Sequence, residues 1–174
     1  DASNPDNTPP QVVRVSVIAT DTIQLYFNEP LDSASMMNPA IYTIDNSVGN
    51  PTLVHVIAPD YKSVRLTLGT TLSLGTIYTI TVNNVITDCV GNPLGSDNSA
   101  RFAIPEPAAA KDIVINEILF NPKTPGVDFV EIYNRSNKVI DLKTISISEF
   151  DTITNTILAP ETISSDGYLI FPQE

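Results

Sequence analysis

Four side chains with hard oxygen donors, Glu29, Asp32, Asp88 and Asn92, are the residues of this chain best suited to hold a metal ion. Glu29 and Asp32 follow one run of strand-like alternation, and Asp88 and Asn92 follow another. If those runs are the second and sixth strands of a two-sheet sandwich, their loops share one pole, with Asp6 or Asn7 beside them where the chain enters. Carboxylate and amide oxygens converging from two loops suit calcium. In a competing reading, Asp88-x-x-Gly91-Asn92 is a turn. There Asp88 accepts backbone N–H bonds, Gly91 takes a positive φ, and Glu29 is held in a similar way. No regular calcium-loop spacing is present, which favours the turn.

Glu117 and Glu131 occupy matching positions in two neighbouring β-period runs. Two facing carboxylates could act as general acid and base in glycoside hydrolysis. Each lies mid-run beside apolar neighbours, so the expectation is structural, with each carboxylate hydrogen-bonded to backbone or Asn. His55 is the one histidine, Cys89 the one cysteine, and no G-x-S-x-G stretch is present. That arithmetic excludes the usual nucleophilic triads and zinc sites. His55 reads as an outward strand residue, and Cys89 as a small, partly buried loop residue with no base nearby in sequence. No catalytic residue is assigned.

Three further patterns concern sugars. Asn134-Arg135-Ser136 fits the N-glycosylation sequon. Asp21-Thr22-Ile23, Asp32-Ser33-Ala34 and Asp151-Thr152-Ile153 fit an Asp-Ser/Thr-aliphatic O-glycosylation triplet, short enough to arise by chance. With no Trp, Tyr26, Tyr42, Tyr61 and Tyr168 are the candidates for an exposed sugar-stacking platform, and their spacing shows no cluster.

Charge narrows the partners. The net charge of −11 is spread along the chain, with nine acids and four bases in residues 1–105 and eleven acids and five bases in residues 106–174. Such a chain is repelled by phosphate backbones and anionic lipid, so nucleic acid is excluded as a partner. No run of about 18 apolar residues is present, so this segment does not insert in a membrane. One cysteine forbids an intrachain disulfide. The first residue is Asp rather than Met, which leads us to expect a targeting segment upstream.

The elements that must position these residues are strands. Residues 1–11 are polar and turn-rich and read as a linker. Residues 12–104 hold seven β-period runs, at 12–19, 22–29, 40–45, 52–57, 63–68, 76–85 and 100–104, with at most one helical turn within 30–39. In the first run Val13, Val15 and Val17 share one face, opposite Arg14 and Ser16. In the second, Ile23, Leu25 and Phe27 point inward. Seven short strands with turn signals between them predict a β-sandwich. Tyr78, near the start of the sixth, is placed for a tyrosine corner. Residues 105–111, PEPAAAK, are a short, proline-stiffened linker. In residues 113–120, Ile113, Ile115, Glu117 and Leu119 fall on one face and Val114, Asn116, Ile118 and Phe120 on the other. Both faces are largely apolar, so cover on both sides is expected. A strand at 129–134 and one or two more in 139–148 follow, with about two more in 152–174.

TPPQVVRVSV, LYFNEPLD, AIYTI and GTIYTITVNNVITDCVGNPL resemble the Ig-like domain of bacterial S-layer and other surface proteins, over residues 8–104. VINEILFNP, DFVEIYNRSNKVIDL, and LAP followed by GYLIF resemble the lamin-tail domain, over residues 112–174. The resemblance implies an all-β chain of two tandem immunoglobulin-like modules, residues 12–104 and 112–174, with the second incomplete. An incomplete sandwich exposes an open edge, to be covered by another protein, by neighbouring domains of the same polypeptide, or by a second copy forming a homodimer. The resemblance also implies an exported setting: extracellular, cell-surface or periplasmic. The expected role is a non-catalytic spacer and interaction segment, a stiff pair of modules that positions its neighbours. The alternatives are a calcium- or glycan-binding adhesion module, and an accessory region of an extracellular hydrolase or nuclease. No cofactor is expected beyond calcium.

Overall fold

The computed structural model describes residues 6–148, 150–151, 153, 156–157, 161–162 and 168–172. The chain divides into two compact units, Asp1–Ile104 and Pro105–Glu174.

The first unit's described residues form seven strands: β1 (Val12–Ala19), β2 (Thr22–Phe27), β3 (Tyr42–Ile44), β4 (Leu53–Val56), β5 (Ser63–Thr67), β6 (Tyr78–Val82) and β7 (Ser99–Phe102). They make a four-stranded sheet in the order β1-β2-β5-β4 and a three-stranded sheet in the order β3-β6-β7, all antiparallel. Lettered A to G, these orders are ABED and CFG, the constant-type immunoglobulin arrangement. Period-2 alternation supplies the core. Ile23, Leu25, Val64 and Leu66 from one sheet and Tyr42, Ile80, Val82 and Phe102 from the other are each 0 % exposed.

Three expectations for this unit are corrected. Val12, not Val13, is buried, and Val13 is 42 % exposed. A register shift between Val12 and Arg14 inserts an extra residue, and a bulge flips every later side chain to the other face. The sixth strand is only Tyr78–Val82, because Asn83 closes it in an Asx turn that accepts the Val85 N–H (3.3 Å). Residues 39–41 are a 3₁₀ turn rather than the start of a strand. Asn38 caps it by accepting the Ala40 N–H (3.0 Å), and proline follows at the first helical position.

Tyr78 does form the corner. Its hydroxyl accepts the Ser73 N–H (2.9 Å) while the ring stacks on Phe102, with centroids 5.5 Å apart. One side chain thereby closes the loop before β6 and caps the core.

In the second unit, β8 (Ile113–Leu119) and β9 (Phe129–Asn134) form a hairpin. Six short strands follow: β10 (Ile140–Asp141), β11 (Ser146–Ile147), β12 (Phe150–Asp151), β13 (Thr156–Ile157), β14 (Glu161–Thr162) and β15 (Leu169–Ile170). Their pairs, β10 with β15, β11 with β14 and β12 with β13, are nested, so they are successive rungs of one interrupted hairpin. Asn134 joins the two hairpins, its Nδ2 donating to the carbonyls of Lys138 (2.8 Å) and Ile170 (3.2 Å).

Here too a bulge overturns the simple alternation. The register runs Ile115 with Ile132, then Glu117 with Glu131, which leaves Asn116 as the extra residue. Ile113, Ile115, Ile118, Val130 and Ile132 therefore share one face, and Val114, Glu117, Leu119, Phe129, Glu131 and Tyr133 the other. The expected cover is not seen: Ile115 is 54 % and Ile118 56 % exposed. A two-stranded ribbon has two faces, and the described residues supply one other hairpin to lay against them.

Candidate metal centre

The end of β2, the segment entering β1 and the loop between β6 and β7 converge at one pole of the first unit. Single β-bridges between Leu31 and Asp88 and between Thr87 and Pro93 fix that loop. The Asp32 N–H donates to the Thr87 carbonyl (2.9 Å). Asp6, Glu29 and Asp88 each bring a carboxylate oxygen to within 4.8 Å of the others.

These three carboxylates are not alike. Asp88 is buried and fully engaged. Its Oδ1 accepts the N–H groups of Val90 (2.9 Å), Gly91 (2.7 Å) and Asn92 (2.8 Å), and its Oδ2 accepts from Asn92 Nδ2 (2.7 Å). Gly91 has φ +97°, as the turn requires. Burial pushes the Asp88 carboxyl up, but the bonds from the Asn92 side chain and the three amides outweigh it and hold it below the usual value. Glu29 is the opposite case. Its Oε1 is buried with no hydrogen-bond partner among the described residues. Burial raises its carboxyl, repulsion from Asp6 and Asp88 raises it further, and Lys62 only partly opposes them.

Of the residues singled out in the sequence, Glu29 and Asp88 come together, and Asn92 joins as a donor to Asp88 and to the Asp6 carbonyl (3.0 Å). Asp32 does not join. Its Oδ1 accepts the Ala34 N–H (3.2 Å) in a turn of its own. Asp6 completes the cluster, its own Oδ1 accepting the Thr8 N–H (2.9 Å). The donor set is hard and anionic, as calcium prefers, and oxygens bound to one calcium at about 2.3–2.6 Å lie within about 5 Å of each other. A cleft of about 590 Å³ lined by Asp32, Tyr61, Asp88 and Cys89 opens beside the cluster. Cys89 is exposed, a correction to the partly buried position expected, because the Asp88 turn holds the 88–92 backbone and turns this side chain outward.

The remaining candidates separate clearly. Glu117 and Glu131 lie directly opposite each other and exposed, with Glu131 accepting from Asn116 Nδ2 (2.6 Å). His55 is exposed on β4, facing Arg65 on β5. Asn134 is 3 % exposed, and its Oδ1 also accepts from the Ser136 amide (3.0 Å) and hydroxyl (2.7 Å), so the sequon amide is spent on the turn. Sequence reasoning missed that role; Tyr-Asn at the end of a strand followed by Ser two residues on was its signal. Tyr42 is 0 % exposed, not part of a platform, because its hydroxyl donates to the Met36 carbonyl (2.8 Å) and draws the ring inward. Thr22 opens β2 beside the fully buried Ile23, while Ser33 is exposed. Thr152 of the third triplet lies outside the described residues, as does the LAP stretch.

Residues 6–103 match the family described as bacterial Ig-like domain. The chain belongs to that family. Residues 106–173 match the lamin tail domain. Among solved structures, this bacterial Ig-like chain is similar to surface layer protein SbsC, domains 1–6, with 26 % identity over 63 % of this chain and 15 % of that one, at a TM-score of 0.48. It is also similar to SbsC residues 31–844 (20 % identity, 94 % of this chain, 22 % of that one, TM-score 0.48) and to the N-terminal part of SbsC (20 %, 94 %, 38 %, 0.47). The chain thus spans well under half the length of each. With TM-scores below 0.5, these likenesses add nothing to the strand order as a ground for the fold. No curated protein matches.

Proposed function

We propose that these modules are a non-catalytic spacer and interaction segment of a larger exported or cell-surface protein. The bacterial Ig-like match over a sandwich with a closed core is the observation that carries this reading. The described first unit presents loops and sheet faces around that core, and its converging carboxylates stand beside an open cleft that Asp88 alone of the three lines. Replacing residues 6–103 in the parent protein by an unrelated Ig-like module tests it. Unchanged export and display of the neighbouring domains supports the spacer role. Loss of display by a swap that folds shows that this module is recognised specifically.

A second reading, a calcium-binding module, is favoured by Glu29, whose Oε1 has no hydrogen-bond partner among the described residues and whose carboxylate converges with those of Asp6 and Asp88. Bound calcium would supply the missing partner and join the segment entering β1 to the pole. Calcium held only by the folded state raises its Tm in proportion to RT ln(1 + [L]/Kd). We expect a calcium-dependent rise in Tm that Glu29→Gln removes. Without calcium, the raised Glu29 carboxyl makes the fold lose stability as pH rises from the unfolded value of 4.5 through the folded one, so Glu29→Gln is then stabilising at neutral pH. A Tm indifferent to calcium in the parent chain removes the metal reading and leaves the spacer reading intact.

A further inference from the structure

We propose that one face of the β8–β9 ribbon docks an extended segment of a partner protein in which an arginine stands between two apolar side chains, in the pattern apolar-x-Arg-x-apolar. This names a partner for the interaction role set out above and rests on that reading. Register stacks three pairs on the face: Val114 with Tyr133, Glu117 with Glu131, and Leu119 with Phe129. All of these but Val114 are exposed. Two carboxylates thus stand between two apolar rows.

The central pair is frustrated. Like charges directly opposite one another work against the ribbon. Among the described residues the ion pairs are Lys138 with Asp112 and Lys143 with Asp141, so no Lys or Arg there relieves the two glutamates. Glu131 is nonetheless held in place, because the bulge residue Asn116 donates from Nδ2 to its Oε1 (2.6 Å). One guanidinium relieves the repulsion, since its planar fork can take an oxygen from each carboxylate.

Charge and spacing choose the occupant. A chain of net charge −11 attracts a cationic partner and repels phosphate polymers, acidic sugars and a second copy of itself. Calcium takes about 6–8 oxygens, and this face offers two carboxylates and one amide. Side chains on one face of a strand recur about every 7 Å, and Phe129, Glu131 and Tyr133 follow that step along β9. An extended segment laid along the ribbon therefore sets an apolar side chain over each flanking row as its arginine meets the glutamates. Phe129 and Tyr133 are rings of the kind that stack guanidinium groups and anchor protein interfaces. A cleft of about 400 Å³, bounded by Asn116, Glu131, Tyr133 and Phe171 among others, gives a long side chain room beside Glu131.

NMR titration of the isotope-labelled 174-residue chain, with a chelator present, tests this. The probe is an end-capped peptide, Thr-Val-Thr-Arg-Thr-Leu-Thr. Two companions carry citrulline in place of arginine, or serine in place of valine and leucine. We expect the arginine peptide to shift amides of β8 and β9 only. The citrulline peptide should bind at least about tenfold more weakly, and the serine peptide at least about fivefold more weakly. Glu117→Gln/Glu131→Gln should lose at least about tenfold, while Asp60→Asn/Asp97→Asn, the same charge change in the first unit, leaves affinity unchanged. Cross-strand contacts between β8 and β9 in the same spectra verify that the glutamine variant is folded. No binding, equal binding of either companion peptide, or unchanged affinity in the folded glutamine variant overturns the proposal. So do shifts of these amides with protein concentration alone, which would assign the face to a second copy, or with calcium once the chelator is omitted. None of these outcomes alters the result of exchanging residues 6–103, so the spacer reading stands or falls separately.

Discussion

The two units treat the same device differently. Each opens on a strand interrupted by a bulge, β1 at residue 13 and β8 at residue 116, and each bulge re-sorts the side chains between faces. In the first unit the sorted face meets a second sheet, and Val12 and Val15 are 8 % and 2 % exposed. In the second unit the sorting gathers Ile113, Ile115, Ile118, Val130 and Ile132 on one face with Asn134 at its end, yet Ile115 and Ile118 stay more than half exposed. Among the second unit's described residues, the buried apolar side chains are Val139 and Ile140. Patterning chooses a face, and only an opposing layer buries it.

The contrast predicts unequal responses to truncation. Leu25→Ala in the first unit should cost about 2–5 kcal/mol, because it opens a cavity among fully buried neighbours. Ile118→Ala on the exposed ribbon should cost under about 1 kcal/mol. Denaturation read by hydrogen exchange in each unit separates the two, and equal losses would break the comparison. Tyr78→Phe comes next. It removes the acceptor of the Ser73 N–H and should cost about 1 kcal/mol, localised to the first unit.

A smaller effect is electrostatic and belongs to the second unit. The bond from Lys138 (2.8 Å), followed by the Ala109 amide, holds the Asp112 carboxyl below its usual value. A depressed carboxyl stabilises the fold above its unfolded pKa of 3.8, and that stability is lost as pH falls through the folded value. Lys138→Met should flatten this acid-side slope in the second unit while leaving that of the first unchanged. The smallest expected change is a gain. Glu117 and Glu131 are like charges directly opposite one another, so Glu117→Gln should stabilise the hairpin by about 0.2–1 kcal/mol. A loss of stability there would mean that Glu117 has a partner among residues that approach β8.

Much of the first unit was legible. Alternation in residues 22–27 placed Ile23, Leu25 and Phe27 inward, and Tyr78 announced its corner, because both signals are local to one strand. The bulges were not legible. An extra residue leaves the count of apolar side chains unchanged and shows only in the partner strand's register. The candidate site was half legible for the same reason. Asp88 with Gly91 and Asn92 is a local turn and reads as one. Whether Glu29, Asp32 or Asp6 faces it depends on how three separate segments meet.

The sequence by itself determined the strand content, the seven-strand count of the first unit, the inward residues of unbulged strands and the chemistry available at each position. These follow from backbone sterics, period-2 alternation and turn residues acting over a few neighbours. Tertiary structure alone decided that Glu29 would carry a buried oxygen with no partner among the described residues, beside two other carboxylates, and that Asp32 would turn away. Those outcomes depend on which segments are brought together over long sequence separations, and local pattern holds no information about such distances.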